Sequence, residues 1–252
     1  MAQKSAFLIG GGWNEDAFPL TYGRFVASIR EERRIACVLL DGDDRDAYFE
    51  RSVAAFSSVG AADVYPVFVS RDRPLRAADL EGSGGVFIGG GLTPAYHDAI
   101  VPDAASWLPW LLNQGIPYGG FSAGAMIAPL QGIIGGWKVR HGATDLEICA
   151  EDVSEDEEYL DIRPGLGLVP FAVDVHASQY GTPTRLLHAV RSGAVAEGWA
   201  IDEDTMLEIS PGRIAVSGLG SAYHVRRGDR EGPGIGPIRV DILGNGDHRD
   251  IA

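Results

Sequence analysis

"PYGGFSAGAMIAP", residues 117–129, carries a serine between glycine and alanine on nearly every side. Before it lies "GIPYGGFS" (115–122), a short apolar run of the kind that forms a buried strand; after it the chain turns helical. Gly120, Ser122 and Gly124 fit the pattern G-x-S-x-G. A sharp strand-to-helix turn holds its central residue in a strained conformation and tolerates only small neighbours. Gly119 and Gly120 on one side, and Ala123, Gly124 and Ala125 on the other, meet that demand. The stretch therefore reads as a turn built to hold a hydroxyl out, with the Ala123 N–H beside it as a natural oxyanion donor.

Working outward, apolar runs that end in turn formers recur: "AFLIGGG" (6–12), "IACVLLDG" (35–42), "ADVYPVFVS" (62–70) and "GGVFIGGG" (84–91). Stretches with helical spacing separate them, at 17–34, 46–61 and 94–115, the last interrupted by Pro102 and Pro109. Strand-helix alternation of this kind predicts an α/β fold, a mostly parallel doubly wound sheet flanked by helices. After residue 130 the texture changes. "EDVSEDEEYLD" (151–161) reads as a solvated acidic loop, "FAVDVHASQYG" (171–181) returns to a strand, and "TPTRLLHAVRSG" (182–193) reads as a helix. Five short strand-like segments follow, from "GWAIDED" to "IRVDIL", so the C-terminal end is expected to be β-rich. No repeat or linker divides the chain, and residues 1–252 are expected to form a single domain.

A length of 252 residues, 45% apolar and 22% charged, suits a soluble globular protein with its own core. The net charge of −14 argues against nucleic acid and against an anionic membrane surface, and leaves room for a cationic substrate. No run approaches the roughly 18 apolar residues of a membrane helix, and the N-terminal apolar run stops at Ile9, short of a signal peptide, so the expected location is cytoplasmic. The two cysteines make no disulfide framework, and Cys37 within "IACVLL" reads as a buried hydrophobe.

A serine nucleophile needs a base. Of the six histidines, His176 ends the strand "FAVDVH", and strand C-termini of a parallel sheet share one edge, so it is the one best placed to reach Ser122. Ten acids lie between Ser122 and His176 or just before the latter, and charge spacing does not choose among them. "VFIGGGLT" (86–93) offers a second oxyanion donor, because a glycine lets the backbone approach a carbonyl closely. The N-terminal triplet at 10–12 reads as a simple glycine-rich turn, and neither triplet gives the dinucleotide pattern G-x-G-x-x-G. The histidines are scattered and no metal-ligand spacing occurs, so neither a metal nor a cofactor is expected.

Four segments resemble the serine peptidases that include dipeptidase E and cyanophycinase, built on a class I glutamine amidotransferase-like fold. "GGFSAGA" is similar to their S-A-G-A elbow, "FIGGGLT" to their G-G-G-N-T turn, "RPGLGLVPFAVDVH" to the segment leading to a D-x-H strand, and "AIDEDTML" to a later hairpin. The resemblance covers residues 86–209 and implies Ser122 as nucleophile, His176 as general base, and the Gly90 and Ala123 amides as oxyanion hole. It places the acid about two dozen residues before the histidine, at Glu151 or Asp152; counting forward from the serine points instead near Asp145, and Glu151 is the acid expected. Leu92, Val175 and Ala177 depart from the family's pattern, and of its arginine-rich segment only Arg185-Leu186 remains, all at positions expected to line the pocket. The expected partner is a small peptide or amide, cleaved at an aspartyl or isopeptide bond through an acyl-enzyme, with a homodimer left open. An esterase or acyl transferase on a non-peptide substrate, or a non-catalytic binding domain, are the rival readings.

Overall fold

The computed structural model describes residues 5–29, 34–61, 63–228 and 236–250. The N-terminal half alternates as its sequence predicts: β1 (Ala6–Ile9), α1 (Tyr22–Ala27), β2 (Arg34–Leu40), α2 (Arg45–Ser58), β3 (Val64–Val69), β4 (Ser83–Ile88), α3 (Thr93–Ile100), α4 (Ala104–Gln114), β5 (Tyr118–Phe121) and α5 (Ala123–Met126). Pro102 separates α3 from α4, whereas Pro109 sits inside α4 on its exposed side, where the carbonyl it leaves unpaired can meet water. Of the long helix expected over 17–34, a 3₁₀ turn at Glu15–Leu20 and α1 are formed; residues 30–33 lie outside the described ones, and Arg34 already opens β2.

The second half is richer in strands: β6 (Gln131–Gly135), the hairpin β7 (Lys138–His141) and β8 (Thr144–Glu147), β9 (Asp161–Pro164), β10 (Ala172–Val175), β11 (Glu197–Ile201), β12 (Thr205–Ser210), β13 (Arg213–Gly218), β14 (Ala222–Arg227), β15 (Ile238–Leu243) and β16 (His248–Asp250). The helices α6 (Ala177–Tyr180) and α7 (Pro183–Ser192) follow β10. An eight-stranded sheet has the order β16-β13-β12-β1-β5-β4-β2-β3; β1, β5, β4, β2 and β3 run parallel, and β12, β13 and β16 extend the sheet antiparallel. A separate four-stranded sheet has the order β10-β11-β14-β15.

The central strands are buried on both faces, as parallel strands between helices must be. Alternation assigns each side chain to a layer. Leu8, Val38, Val86, Ile88 and Tyr118 pack into a core shared with α3, α4 and α7. Phe7, Ile9, Cys37, Leu39, Phe87 and Phe121 face the other way, into an aromatic core with Tyr22, Phe25 and Phe56. Within that core Phe56 meets Phe87 edge-on at 5.0 Å. Cys37 is fully buried there, and burial pushes its thiol up to about 12, so it packs as a hydrophobe.

Contrary to the expectation of one shared sheet edge, His176 does not follow a strand of the large sheet: β10 belongs to the smaller one. One ion pair ties that sheet together from within. Arg185 on α7 forms a two-pronged contact with Asp174 on β10, at 2.9 and 2.7 Å, with both side chains buried. The same guanidinium donates to the carbonyl of Val153 at 2.8 Å, so it also holds the acidic 150s segment against the body. Removing one partner of a buried pair strands the other charge, at a cost of about 3–5 kcal/mol, whereas replacing both with apolar residues leaves no such charge. Asp174→Ala is therefore expected to lower the urea unfolding free energy by about 3–5 kcal/mol. A double variant with Arg185→Leu should recover much of it, and a loss in the double variant equal to the sum of the single losses would count against the pair's role.

Candidate active site

The C-terminal end of β1 supplies three successive carbonyls that organise the site. Ile9 accepts the backbone N–H of Ser122 at 2.9 Å, Gly10 that of His176 at 3.0 Å, and Gly11 that of Asp204 at 2.7 Å. Residues 122, 176 and 204 come from three different segments of the chain, and this edge brings them together.

At the first of them, β5 ends and α5 begins within one residue. Ser122 has φ 51° and ψ −110°, a conformation that costs a non-glycine residue on the order of 1–3 kcal/mol. The flanking glycines are steric requirements. A β-carbon on Gly120 would lie 2.5 Å from the carbonyl oxygen of Gly124, and one on Gly124 would lie 2.3 Å from that of Ile88. Because α5 has only four residues, its dipole is slight, and the group that matters is its first N–H, that of Ala123, which has no intrahelical acceptor.

His176 follows β10 and is also left-handed, at φ 52°. The triplet at 10–12, read from sequence as a plain turn, makes room for its ring: a β-carbon on Gly11 would lie 2.2 Å from the imidazole. Ser122 Oγ lies 2.8 Å from His176 Nε2, and His176 Nδ1 lies 2.7 Å from Glu203 Oε1. A carboxylate only accepts, so Nδ1 carries the proton toward Glu203 and Nε2 accepts from the serine hydroxyl. Tyr180 stacks on the open face of the imidazole at 4.7 Å.

The carboxylate on His176 is Glu203, not Glu151. Glu151 and Asp152 lie in a 3₁₀ turn (Glu151–Val153) at the rim of the pocket, and Asp145 is on β8, bonded to Tyr159. Glu203 sits in the link between β11 and β12, with a neighbour fixing it on either side. Asp202 accepts from the Ser178 N–H and hydroxyl and from the Ser221 N–H, at 2.7–2.8 Å, and Asp204 accepts from the Asn14 N–H at 2.9 Å. The signal for Glu203 in the sequence is "IDED" directly after a strand, within the segment similar to the family's later hairpin, and it lies beyond the histidine rather than between serine and histidine.

Gly90, expected to supply the second oxyanion donor, has its amide engaged within the fold. The Gly90 N–H does not point freely into the pocket but donates to the Tyr48 hydroxyl at 2.9 Å. The pocket itself is a cavity of about 570 Å³ over Ser122 and His176. One wall is the segment expected to be a solvated loop: Glu151, Asp152, Glu155 and Asp156 line it. Glu155 is partly buried and accepts from the Thr93 N–H at 2.9 Å; burial raises its pKa above the usual carboxylate range, with the Thr93 bond pulling the other way. Arg185 also lines the cavity, already neutralised by Asp174. Among the described residues no group of three His, Cys, Asp or Glu side chains converges as a metal site would, and no helix is long and apolar enough to cross a membrane.

A strained serine on a strand-helix elbow, backed by an imidazole and a carboxylate, has the geometry of a serine-peptidase centre. The family model of Peptidase family S51 matches residues 8–216, and the chain belongs to that family of serine peptidases. The fold is also that of a peptidase from an acI-B1 actinobacterium, with a TM-score of 0.62 at 12% identity, covering 99% of this chain and 98% of that one. A Listeria monocytogenes EGD-e protein described as a candidate peptidase E gives 0.54 at 15% identity, covering 87% of this chain and 100% of that one. No curated protein matches the sequence.

The imidazole contact can be checked without any substrate. The Nδ1 proton shared with Glu203 should give a downfield proton resonance that persists in Glu151→Ala and disappears in Glu203→Ala. The reverse pattern would return the role to Glu151.

Proposed function

We propose that the protein hydrolyses a peptide amide bond through an acyl-enzyme on Ser122. The observation that carries this reading is the continuous contact from Ser122 Oγ through the His176 ring to Glu203, at 2.8 and 2.7 Å. His176 Nε2 takes the hydroxyl proton as Oγ bonds to the carbonyl carbon, and the carbonyl electron pair moves to oxygen. The imidazolium, held in orientation by Glu203, then protonates the leaving amine as the C–N bond breaks. Water, activated by the same nitrogen, releases the acid. The hydrogen bond between serine and imidazole also speaks against a non-catalytic binding role, which would leave no reason to hold Ser122 in a strained conformation. Ser122→Ala should fold normally by circular dichroism yet lose peptide hydrolysis and labelling by a fluorophosphonate. Glu203→Gln should keep labelling at a rate lowered by about 10²–10⁴-fold. Equal labelling of wild type and Ser122→Ala would refute the reading.

The pocket favours a cationic substrate over an aspartyl one. A free substrate carboxylate would need an unpaired cation, and Arg185 is committed to Asp174; the acidic wall offers charge of the opposite sign. In a library of dipeptides, those carrying lysine or arginine beside the scissile bond should exceed their aspartyl counterparts in kcat/KM by about tenfold, equivalent to about 1.4 kcal/mol. The gap should narrow with added salt and in Glu151→Gln/Asp152→Asn. A preference for acidic dipeptides would contradict this assignment of the substrate.

A further inference from the structure

Tyr48 lies on α2, far in sequence from the serine elbow and the glycine turns, yet it borders the cavity over Ser122. Its hydroxyl accepts the Gly90 N–H at 2.9 Å. A β-carbon on Gly90 would lie 2.9 Å from the Ser122 β-carbon and 3.2 Å from the Tyr48 hydroxyl oxygen. The hydroxyl and the serine side chain therefore both border the space beside the Gly90 α-carbon, which glycine keeps open. The ring is fixed on its other sides: Trp13 meets it edge-on at 5.6 Å, and a β-carbon on Gly89 would lie 3.4 Å from its edge. Arg51 lies over the Trp13 ring at 4.3 Å.

Among the described residues the Tyr48 O–H donates to no acceptor, so its proton is available to the cavity. Accepting the Gly90 N–H polarises the phenol and strengthens it as a donor. Burial also holds its pKa well above the usual tyrosine range, so the phenol stays protonated and cannot give its proton away.

Building on the hydrolase reading above, we propose that Tyr48 is a catalytic residue whose hydroxyl, backed by the Gly90 N–H, is the second oxyanion donor beside the Ala123 N–H. As Ser122 Oγ bonds to the carbonyl carbon and its proton passes to His176, the electron pair displaced onto oxygen is met by two hydrogen bonds. One comes from the Ala123 amide and one from Tyr48. No proton moves from Tyr48, and both bonds weaken again when the carbonyl re-forms. The Gly90 amide acts one step removed, through the phenol.

The test uses the full-length protein with a fluorophosphonate, whose phosphoryl oxygen occupies the oxyanion position, and with p-nitrophenyl acetate. Tyr48→Phe keeps the ring and its packing against Trp13 but deletes the donor. The labelling rate and kcat should fall by about 10²–10³-fold, the loss typical of one oxyanion donor, with KM little changed and the melting temperature within a few degrees of wild type. Fluorotyrosine at position 48, a stronger acid of nearly the same shape, should raise kcat while leaving stability alone, a response that a structural role would not give. Wild-type rates in Tyr48→Phe would overturn the proposal. A faster Tyr48→Phe would do so too, by showing that the hydroxyl only blocks a Gly90 donor. In either case wild-type labelling keeps the hydrolase reading intact, whereas an unlabelled wild type would overturn both.

Discussion

Three consecutive carbonyls at the end of one short strand hold this site together. Ile9, Gly10 and Gly11 accept hydrogen bonds from Ser122, His176 and Asp204 in turn. Each bond fixes backbone, not side chain, so the reacting groups inherit their positions from the sheet edge before any side-chain contact forms. Ser122 and His176 are both held at positive φ, and Asp204 shares that feature at φ 57°. Conformations of that kind survive only where the surroundings over-determine them. Here the surroundings are the β1 carbonyls below and the close-packed glycines beside them.

The two glycine triplets look alike in sequence and work differently. The one at 10–12 is hollowed out for the imidazole and for Asp204, whose carboxylate would lie 2.4 Å from a β-carbon on Gly12. In the one at 89–91, Gly89 and Gly90 leave space for Tyr48 and Ser122. Neither follows the dinucleotide spacing, and what each accommodates is a side chain delivered from elsewhere in the fold.

Much of this was legible in the residues. Apolar runs ending in glycine marked the parallel strands, and all five C-terminal segments read as strands are strands. Ser122 was marked by its small neighbours and His176 by its place at a strand end. Three features were not legible, each because it depends on contacts between distant segments. Glu203 lies beyond the histidine in sequence and reaches it only because β11 hands over to β12 across two sheets. Tyr48 is an ordinary helical tyrosine until Gly90 comes beside it. The acidic 150s segment reads as solvated by composition, and becomes a pocket wall only because Arg185 reaches out to Val153.

The division of the reacting groups between two sheets has a consequence of its own. Ser122 follows a strand of the large sheet, and the His176 imidazole follows a strand of the small one. The carboxylate occupies the seam that joins them. A slip of that seam by the length of a hydrogen bond would break the contacts among Ser122, His176 and Glu203 and leave each sheet's own ladder unbroken. On the proposed mechanism, activity gauges how well the two layers are docked, independently of how completely each layer's strands and helices are formed.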